Sequence, residues 1–391
     1  MTSRMALVTA LMLASIAPSP AAERAAAPGS IRKAEDIVIY EDAKFYSSFP
    51  SIVRRPNGDL LVAFRRAPER RALGETGITH TDANSQLVLV RSRDNGKTWT
   101  REPELIYAHP FGGSQDPCTV QLHDGTILCA SYAWAPLPAN ALAKSPQPVA
   151  RAGSFAFLGG FILRSTDGAR SWEPPIIPPP CRGEVNHDMF GNIIPAYNRG
   201  AMCEGCDGRL FWVVAATTTN APSRTGTHLL ISRDKGRSWE YSSEVAADPK
   251  ITFNETSIYE TPKRDLVAFI RTEGFNDHTV IARSKDGGKS FTWRDEGFQG
   301  HPHYALKLPD DRVLLVYGYR HAPFGIRARL LDAECSNAST AGEIILRADG
   351  GTGDLGYPWA TMVSKNRALV VYYFNQADGP RHIAGTFVEV R

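Results

Sequence analysis

A nine-residue segment that recurs four times constrains the fold of this 391-residue chain more than any other feature. The segment is close to Ser-x-Asp-x-Gly-x-Ser/Thr followed by a large aromatic residue. It is found in RSRDNGKTW (91–99), RSTDGARSW (164–172), ISRDKGRSW (231–239) and RSKDGGKSF (283–291). Four chance occurrences are improbable, so we interpret the segment as a structural repeat.

The composition of the segment indicates a turn between two strands, and we call the four copies box turns. In such a turn Ser and Asp side chains bond unpaired backbone N–H groups, Gly adopts a positive φ, and the aromatic residue anchors the turn in the sheet. The four Asp residues are therefore predicted to stabilise turns rather than to act in catalysis. They are Asp94, Asp167, Asp234 and Asp286.

A second repeat consists of six strand–turn–strand segments with period-two apolar residues. They lie at 50–64, 116–132, 192–216, 255–271, 303–319 and 357–374. No long segment shows helical periodicity, and the stretch 138–153 is interrupted by Pro, so we expect an insertion loop there. An all-β, six-bladed β-propeller with four box turns fits both repeats. A β-sandwich would explain the strands but not the repeats.

The N-terminus predicts a signal peptide over residues 1–22, because Arg4 is followed by an apolar run and then by small residues near Ala21 and Ala22. The apolar run is shorter than the roughly 20 residues of a membrane-spanning helix, so we expect no membrane span. The protein is then secreted or periplasmic, with a flexible segment at 23–35 and the propeller at 36–391.

The chain has a formal net charge of +3 and no dense basic run, which argues against a nucleic-acid partner. We expect a monomer that binds a glycan or glycoside. Cys118 and Cys129 flank a turn at 123–125 and either form a disulfide or are buried thiols. CEGC (203–206) resembles half of a metal site, but no second pair follows, so a loop disulfide or a plain loop is predicted.

Box turns on a six-bladed propeller in an exported protein resemble the sialidase (neuraminidase) superfamily, in which they are called Asp boxes. The similarity extends from about residue 36 to the end of the chain. The resemblance implies a Tyr nucleophile activated by a Glu, an Asp acid/base, three Arg that bind the substrate carboxylate, and no metal or cofactor. A neutral Tyr suits a sugar whose anomeric carbon carries a carboxylate, since an anionic nucleophile would be repelled.

Two segments are similar to the family's nucleophile and base positions. In FNETSIYETPKRDLVAFIR (253–271), Glu255 opens a hairpin and Arg271 closes it, as the family's base and one carboxylate-binding Arg do. In DLGYPWATMV (354–363), Tyr357 begins the last hairpin, which is similar to the nucleophile position. The alternatives are an exposed Glu, a surface Arg and a structural Tyr.

For the acid/base, the resemblance implies Asp82, which lies in the loop before the strand of the first box turn. Glu75 in the same loop is the rival, and a solvated carboxylate is the alternative. Asp116 resembles a family position that contacts polar groups of the substrate, although it can equally cap a turn.

The chain departs from the family at the first Arg, which is expected two residues before Pro50 and is replaced by Ser48. Arg65 or Arg66 can reach the site from the same hairpin, and Arg320 or Arg327 can supply the third Arg. The Glu that supports the family's first Arg is replaced by Tyr or Phe in VVYYFN (370–375). The joint loss predicts a remodelled subsite.

These residues predict an exo-acting, retaining glycoside hydrolase that cleaves a terminal α-linked sialic acid or a related acidic sugar. A uronate-specific polysaccharide lyase is the first alternative, using Tyr304 with His301, His303 or His321, or the pair at 187–188. A non-catalytic sugar-binding propeller is the second.

Overall fold

A computed structural model of the chain describes residues 30–75, 80–142, 144, 151–152, 154–220, 223–377 and 379–391. The signal peptide predicted at 1–22 therefore lies outside the described residues, as does most of the segment 23–35. The strands form six four-stranded sheets, which confirms the all-β, six-bladed propeller.

The blades follow one another in chain order, after the N-terminal strand β1 (Ile31–Tyr40). Blade 1 contains β2 (Phe45–Arg54), β3 (Leu60–Pro68), β4 (Gln86–Ser92) and β5 (Glu104–Tyr107). Blade 2 contains β6 (Gly113–Gln121), β7 (Ile127–Pro136), β8 (Arg151–Ala152) and β9 (Phe155–Ser165), in the spatial order β6-β7-β9-β8. Blade 3 contains β10 (Cys203–Glu204), β11 (Leu210–Asn220), β12 (Ser223–Ser232) and β13 (Glu240–Ala246).

Blade 4 contains β14 (Thr252–Glu260), β15 (Leu266–Glu273), β16 (His278–Ser284) and β17 (Thr292–Gln299). Blade 5 contains β18 (His303–Lys307), β19 (Val313–Tyr319), β20 (Gly325–Leu331) and β21 (Glu343–Arg347). Blade 6 contains β22 (Gly356–Ser364), β23 (Arg367–Phe374) and β24 (His382–Val390), followed by β1. The first two strands of each blade are the six predicted hairpins.

Among the described residues, two short helices lie in the connections. A 3-10 helix at Arg70–Leu73 follows β3, and α1 (Ala139–Leu142) follows β7. The stretch 138–153, predicted to be a loop, thus contains α1 and the two-residue strand β8, which pairs with β9. No helix among the described residues is long and apolar enough to cross a membrane.

The ring is closed by β1, which pairs antiparallel with β24 in a register that joins Ile31 to Val390. Pairing therefore begins five residues before the expected boundary at residue 36. The charged residues of β1 are exposed, because β1 is the outermost strand of blade 6. Their polarity is what made this segment look flexible in sequence.

The box turns share one hydrogen-bond pattern. In the first turn the Ser92 Oγ accepts from the Gly96 N–H at 2.8 Å, and the Asp94 carboxylate accepts from the Thr98 N–H at 2.9 Å. The same pair of bonds recurs in the other three turns. In the second turn Ala169 occupies the position expected for Gly, with φ of 61°.

The box-turn glycines pack against the neighbouring blade. A Cβ atom added to Gly236 of blade 3 would lie 2.5 Å from the Leu128 side chain of blade 2. A Cβ atom on Gly96 of blade 1 would lie 3.2 Å from Leu369 and Phe387 of blade 6. At Gly236 both the positive φ and this close approach therefore favour glycine.

A fifth turn with similar bonding was missed in the sequence. The Asp332 carboxylate accepts from the backbone N–H groups of Glu334 and Ser336 and from the Ser336 hydroxyl. This turn lacks both the glycine and the aromatic residue of the pattern.

All six cysteines are described, and none forms a disulfide. Cys118 and Cys129 are buried on adjacent strands, with Cys129 opposite Thr119, so they are the buried thiols of the two alternatives. Cys203 and Cys206 are also free thiols, which excludes a loop disulfide in this structure.

Candidate active site

The first strands of the blades contact one another around the centre of the ring, and four of them carry a register shift near the start. The shifts flank Phe49 in β2, Asp116 in β6, Glu255 in β14 and Tyr357 in β22. Phe49, Asp116 and Tyr357 each precede a Pro and have a positive φ, at 55°, 31° and 54°. Bulges of this kind redirect a side chain, and they are common next to active sites.

Tyr357 and Glu255, predicted from different blades, are in direct contact. The Tyr357 hydroxyl donates to Glu255 Oε1 at 2.5 Å. Burial and the negative charge of Glu255 raise the pKa of Tyr357 above its ordinary value. Burial alone would also raise the pKa of Glu255, but Arg271, the Tyr357 hydroxyl and Arg199 outweigh it, and that pKa is lowered. The pair is thus a neutral phenol bonded to a carboxylate.

Arg271 completes this group. Its Nη1 donates to Glu255 Oε2 at 2.8 Å and to the Tyr357 hydroxyl at 3.3 Å, while Nη2 lies 3.0 Å from Glu273 Oε1. Arg271 therefore fixes the carboxylate of Glu255 and presents a positive charge beside Tyr357.

The structure distinguishes the two candidates for the third Arg. The guanidinium of Arg320 lies 5.1 Å from the Tyr357 ring centroid and donates to the Tyr373 hydroxyl at 2.8 Å. Arg327 instead lies over the Tyr319 ring and donates to backbone carbonyls of Pro323 and Arg347. Arg320 belongs to the site, and Arg327 does not contact it.

Arg199 was missed in the sequence, where no motif marks it. It is buried, its Nη2 donates to the Tyr357 carbonyl at 3.2 Å and to the Pro50 carbonyl at 3.1 Å, and its guanidinium stacks on the Tyr357 ring at 4.7 Å. It holds the backbone of the Tyr357 bulge. Only the place of Arg199 just before β10, near the start of blade 3, could have suggested it.

Asp116 of blade 2 and Arg65 of blade 1 interact through their charges. Asp116 Oδ2 accepts from the Tyr132 hydroxyl at 2.7 Å, and burial together with the charge of Glu255 raises the Asp116 pKa to about 6. Arg65 is fully buried near Asp116 and Asp82, and its nitrogens have no hydrogen-bond partner among the described residues. Arg66, the other candidate of that hairpin, instead stacks on Phe45 at 4.4 Å.

Asp82 is held in an ion pair. Its two carboxylate oxygens accept from Arg70 Nε at 2.7 Å and Arg70 Nη2 at 3.0 Å, and Oδ1 also accepts from the Asn84 N–H. Burial would raise the pKa of Asp82, but Arg70 and the Asn84 N–H lower it overall. Glu75, the rival, is exposed and pairs with Arg70 Nη1 at 3.2 Å.

Asp354, a carboxylate that sequence reasoning did not single out, lies beside Tyr46 of β2. Asp354 accepts from the hydroxyls of Tyr46 and Tyr373, from Arg381 Nε at 2.8 Å, and bonds His80 Nε2 at 2.9 Å. Tyr373 lies where the family's supporting Glu was expected. Its hydroxyl bonds both Asp354 and Arg320, so the two charges are one hydroxyl apart.

The histidines of the lyase alternative are mostly engaged elsewhere. His303 is fully buried with Nε2 on the Thr279 hydroxyl at 2.8 Å, and Tyr304 stacks on Trp359. His301 alone lies close to Arg271 and Arg320, and its pKa is lowered by burial and by these arginines. His321 pairs with Asp277 at 3.2 Å. No group of three or more potential metal ligands is arranged to hold a metal ion in the described part of the chain.

A second loop named for the lyase alternative carries His187 and Asp188. The Asp188 carboxylate accepts from the backbone N–H groups of Phe190 and Asn192, so it caps its own loop.

The fold has known relatives among solved structures. A microbial sialidase, Hadza Hz136, has a TM-score of 0.61 at 15% sequence identity, covering 88% of this chain and 66% of its own. Trypanosoma rangeli sialidase in complex with sialic acid has a TM-score of 0.57 at 14% identity, covering 92% and 57%. These likenesses define the class of the fold, a sialidase-like six-bladed propeller, and this chain spans little more than half of the second protein.

A much nearer relative is a protein of unknown function from Dyadobacter fermentans. It is 59% identical, with a TM-score of 0.91, and the match covers 93% of this chain and 100% of that chain. This chain belongs to the same family as that protein. No protein-family model and no curated protein matches the sequence.

Proposed function

We propose that the protein is an exo-acting, retaining glycoside hydrolase that cleaves a terminal acidic sugar from a glycan or glycoside. The observation that supports this most is the 2.5 Å hydrogen bond between Tyr357 and Glu255, flanked by Arg271. A neutral phenol that passes its proton to a buried carboxylate at the moment of attack is an activated nucleophile.

In the proposed reaction the Tyr357 oxygen attacks the anomeric carbon while Glu255 takes the phenolic proton. Arg271, at the Tyr357 hydroxyl, and Arg320, over the Tyr357 ring, bind the anionic group of the sugar. Charge-assisted contacts of this kind contribute roughly 1.5–3 kcal/mol each. The covalent glycosyl–tyrosine is then hydrolysed with overall retention of configuration.

The position of Asp354 argues against an ordinary sialoside as the best substrate. Asp354 is one hydroxyl away from Arg320, so a carboxylate bound by Arg320 lies close to a second negative charge. Like charges at that separation weaken binding. We therefore propose a related acidic sugar whose anionic group avoids Asp354, or whose hydroxyl groups donate to it.

The test compares kcat/KM on a 4-nitrophenyl α-sialoside with values on other acidic 4-nitrophenyl glycosides, including uronides. We expect slow sialoside cleavage, below about 10⁵ M⁻¹s⁻¹, and faster cleavage of another member. Proton NMR of the first-formed sugar should show retention. Efficient sialoside cleavage would contradict the remodelled subsite, and failure to cleave any glycoside would contradict the enzyme itself.

A lyase is the second candidate, since His301 lies near Arg271 and Arg320. A lyase forms an unsaturated product that absorbs in the ultraviolet, and a hydrolase does not. Product absorbance on uronate-containing glycans therefore separates the two reactions.

A further inference from the structure

We infer that His80, held by Asp354, is the group that protonates the leaving oxygen, and that Asp82 positions its loop instead. This inference rests on the proposed glycosidase function. Both residues lie in the loop between β3 and β4, and the inferred donor His80 is two residues before the predicted donor Asp82.

Asp82 is poorly placed to donate a proton. Both of its oxygens accept from the guanidinium of Arg70, and one accepts in addition from a backbone N–H. A general acid must carry a proton before it can give one away, and a carboxylate bonded in this bidentate way remains ionised. The Asp82 side chain is also only 2% exposed.

His80 is better placed. Its side chain is 48% exposed, and its Nε2 is bonded to Asp354 Oδ1 at 2.9 Å. Its other ring nitrogen, Nδ1, has no protein partner among the described residues. The His80 ring contacts the Phe49 ring at 5.3 Å, and the Phe49 ring contacts the Tyr357 ring at 4.7 Å. One aromatic ring, Phe49, thus links the His80 ring to the Tyr357 ring. We place the leaving oxygen of a sugar bound at Tyr357 toward His80.

Asp354 is held as a carboxylate beside His80. It accepts from Arg381 and from two tyrosine hydroxyls, and although burial raises its pKa, the contact with His80, the charge of Arg381 and the Tyr46 hydroxyl lower it overall. Burial raises the pKa values of Tyr46 and Tyr373, so both tyrosines are neutral donors.

The other charged groups of this region lie in the same loop, on the preceding strand β3 and just before β24. They are the paired Arg70 and Asp82, the buried Arg65 of β3, whose charge interacts with Asp82 and Tyr46, and Arg381, which bonds Asp354. The His80 carbonyl accepts from the Gln115 side chain of β6. Asp354 is the only carboxylate bonded to the His80 ring among the described residues.

The proposed reaction has two halves, and the first forms the glycosyl–tyrosine. The Tyr357 oxygen forms a bond to the anomeric carbon and its proton moves to Glu255. The bond from the anomeric carbon to the glycosidic oxygen breaks, and that oxygen takes the proton from Nδ1 of the His80 imidazolium. In the second half a water gives a proton to Nδ1 and its oxygen bonds the anomeric carbon. The bond to Tyr357 then breaks, and the Tyr357 oxygen recovers its proton from Glu255.

The experiment measures kcat/KM for two glycosides of the best sugar found in the panel, one with a methyl and one with a 4-nitrophenyl leaving group. H80Q keeps an amide donor for Asp354 but cannot carry the proton. We expect H80Q to lose roughly 10²–10⁴-fold on the methyl glycoside. The loss on the 4-nitrophenyl glycoside should be below about tenfold, because nitrophenolate leaves without protonation.

The leaving-group dependence is a readout that a structural role would not move, because a variant that only displaces the loop lowers kcat/KM on both glycosides alike. His123 pairs with Glu204 at 2.9 Å in a turn at the far end of β6, so H123Q is the matched control and should behave as wild type.

The outcomes separate this inference from the proposed function. If D82N shows the leaving-group dependence and H80Q does not, Asp82 is the acid and the inference is wrong. If H80Q lowers kcat/KM equally on both glycosides, His80 has only a structural role. If Y357F retains full turnover, the Tyr–Glu mechanism itself is wrong.

Discussion

Removing one oxygen atom from Tyr357 is the most direct perturbation of the proposed nucleophile. Y357F deletes the hydroxyl that bonds Glu255 and leaves the ring in its packing against Phe49. Because that oxygen is the atom that would bond the sugar, we expect kcat to fall by roughly 10³-fold or more, which corresponds to about 4 kcal/mol of transition-state stabilisation.

E255Q should cause a loss of similar size, because the phenol then has no base. The double variant Y357F/E255Q should be little worse than the more damaged single variant, since groups that act as one unit are not additive. Arg271 keeps Glu273 at 3.0 Å when Glu255 is neutralised, so the E255Q protein retains a partner for that charge.

The assay is steady-state hydrolysis of the best aryl glycoside, with thermal unfolding of each variant to exclude misfolding. Y259F is the matched control, because it removes a buried hydroxyl that has no hydrogen-bond partner among the described residues. Unchanged turnover in either single variant, or a double variant whose loss is the product of the two single losses, would refute the reasoning.

Two further predictions concern stability. W239A should lower the free energy of unfolding by roughly 3–5 kcal/mol, because Trp239 is buried. W99A should lower it less, because Trp99 is only partly buried. Both variants should keep near-normal kcat, and chemical denaturation that ranks their stabilities in the opposite order would contradict this explanation. Since burial and Glu255 raise the Asp116 pKa to about 6, its charging opposes folding as pH rises from about 4 through 6. D116N should therefore match wild type near pH 4 and be more stable at pH 8, by at most about 3 kcal/mol; equal stability at pH 8 would contradict a strained Asp116 charge.

The blades could be predicted from sequence because their signals are local. Period-two strands and turn residues specify each hairpin, and the six hairpins are found as expected. The closing strand could not be predicted, since Ile31–Tyr40 is charged and its partner β24 is far away in sequence. Likewise, Ala169 shows that a box turn can hold a residue other than Gly at the position with positive φ.

The site was predictable only where a residue lies at the start of a blade. Glu255 and Tyr357 follow that rule, Arg271 lies near the end of the second strand of blade 4, and the structure places the three side chains in contact. The sequence could show that Ser48 replaces an arginine, but not what fills the space. Asp354 and its four partners lie at five separate places in the chain, on β2, in the β3–β4 loop, before β22, on β23 and before β24, so their convergence depends on the closed ring.

The choice among the candidate arginines also depended on where their side chains lie in the folded protein. Arg65 and Arg66 are adjacent and their side chains point to opposite faces of β3, one into the interior and the other onto Phe45. Arg199 sits beside no recognisable motif, and its role comes from the carbonyl groups it meets across the ring.

The pairing of β1 with β24 also imposes an order on assembly. Blade 6 cannot be completed until the chain from β2 to β23 has been laid out around the ring, so the last step joins segments from opposite ends of the sequence. Such non-local pairing slows folding, because the entropy of closing the loop is lost before the contact forms. The ion pairs along β1 are largely exposed and contribute little to stability. The backbone hydrogen bonds between β1 and β24 therefore provide most of the stabilisation of the closed ring.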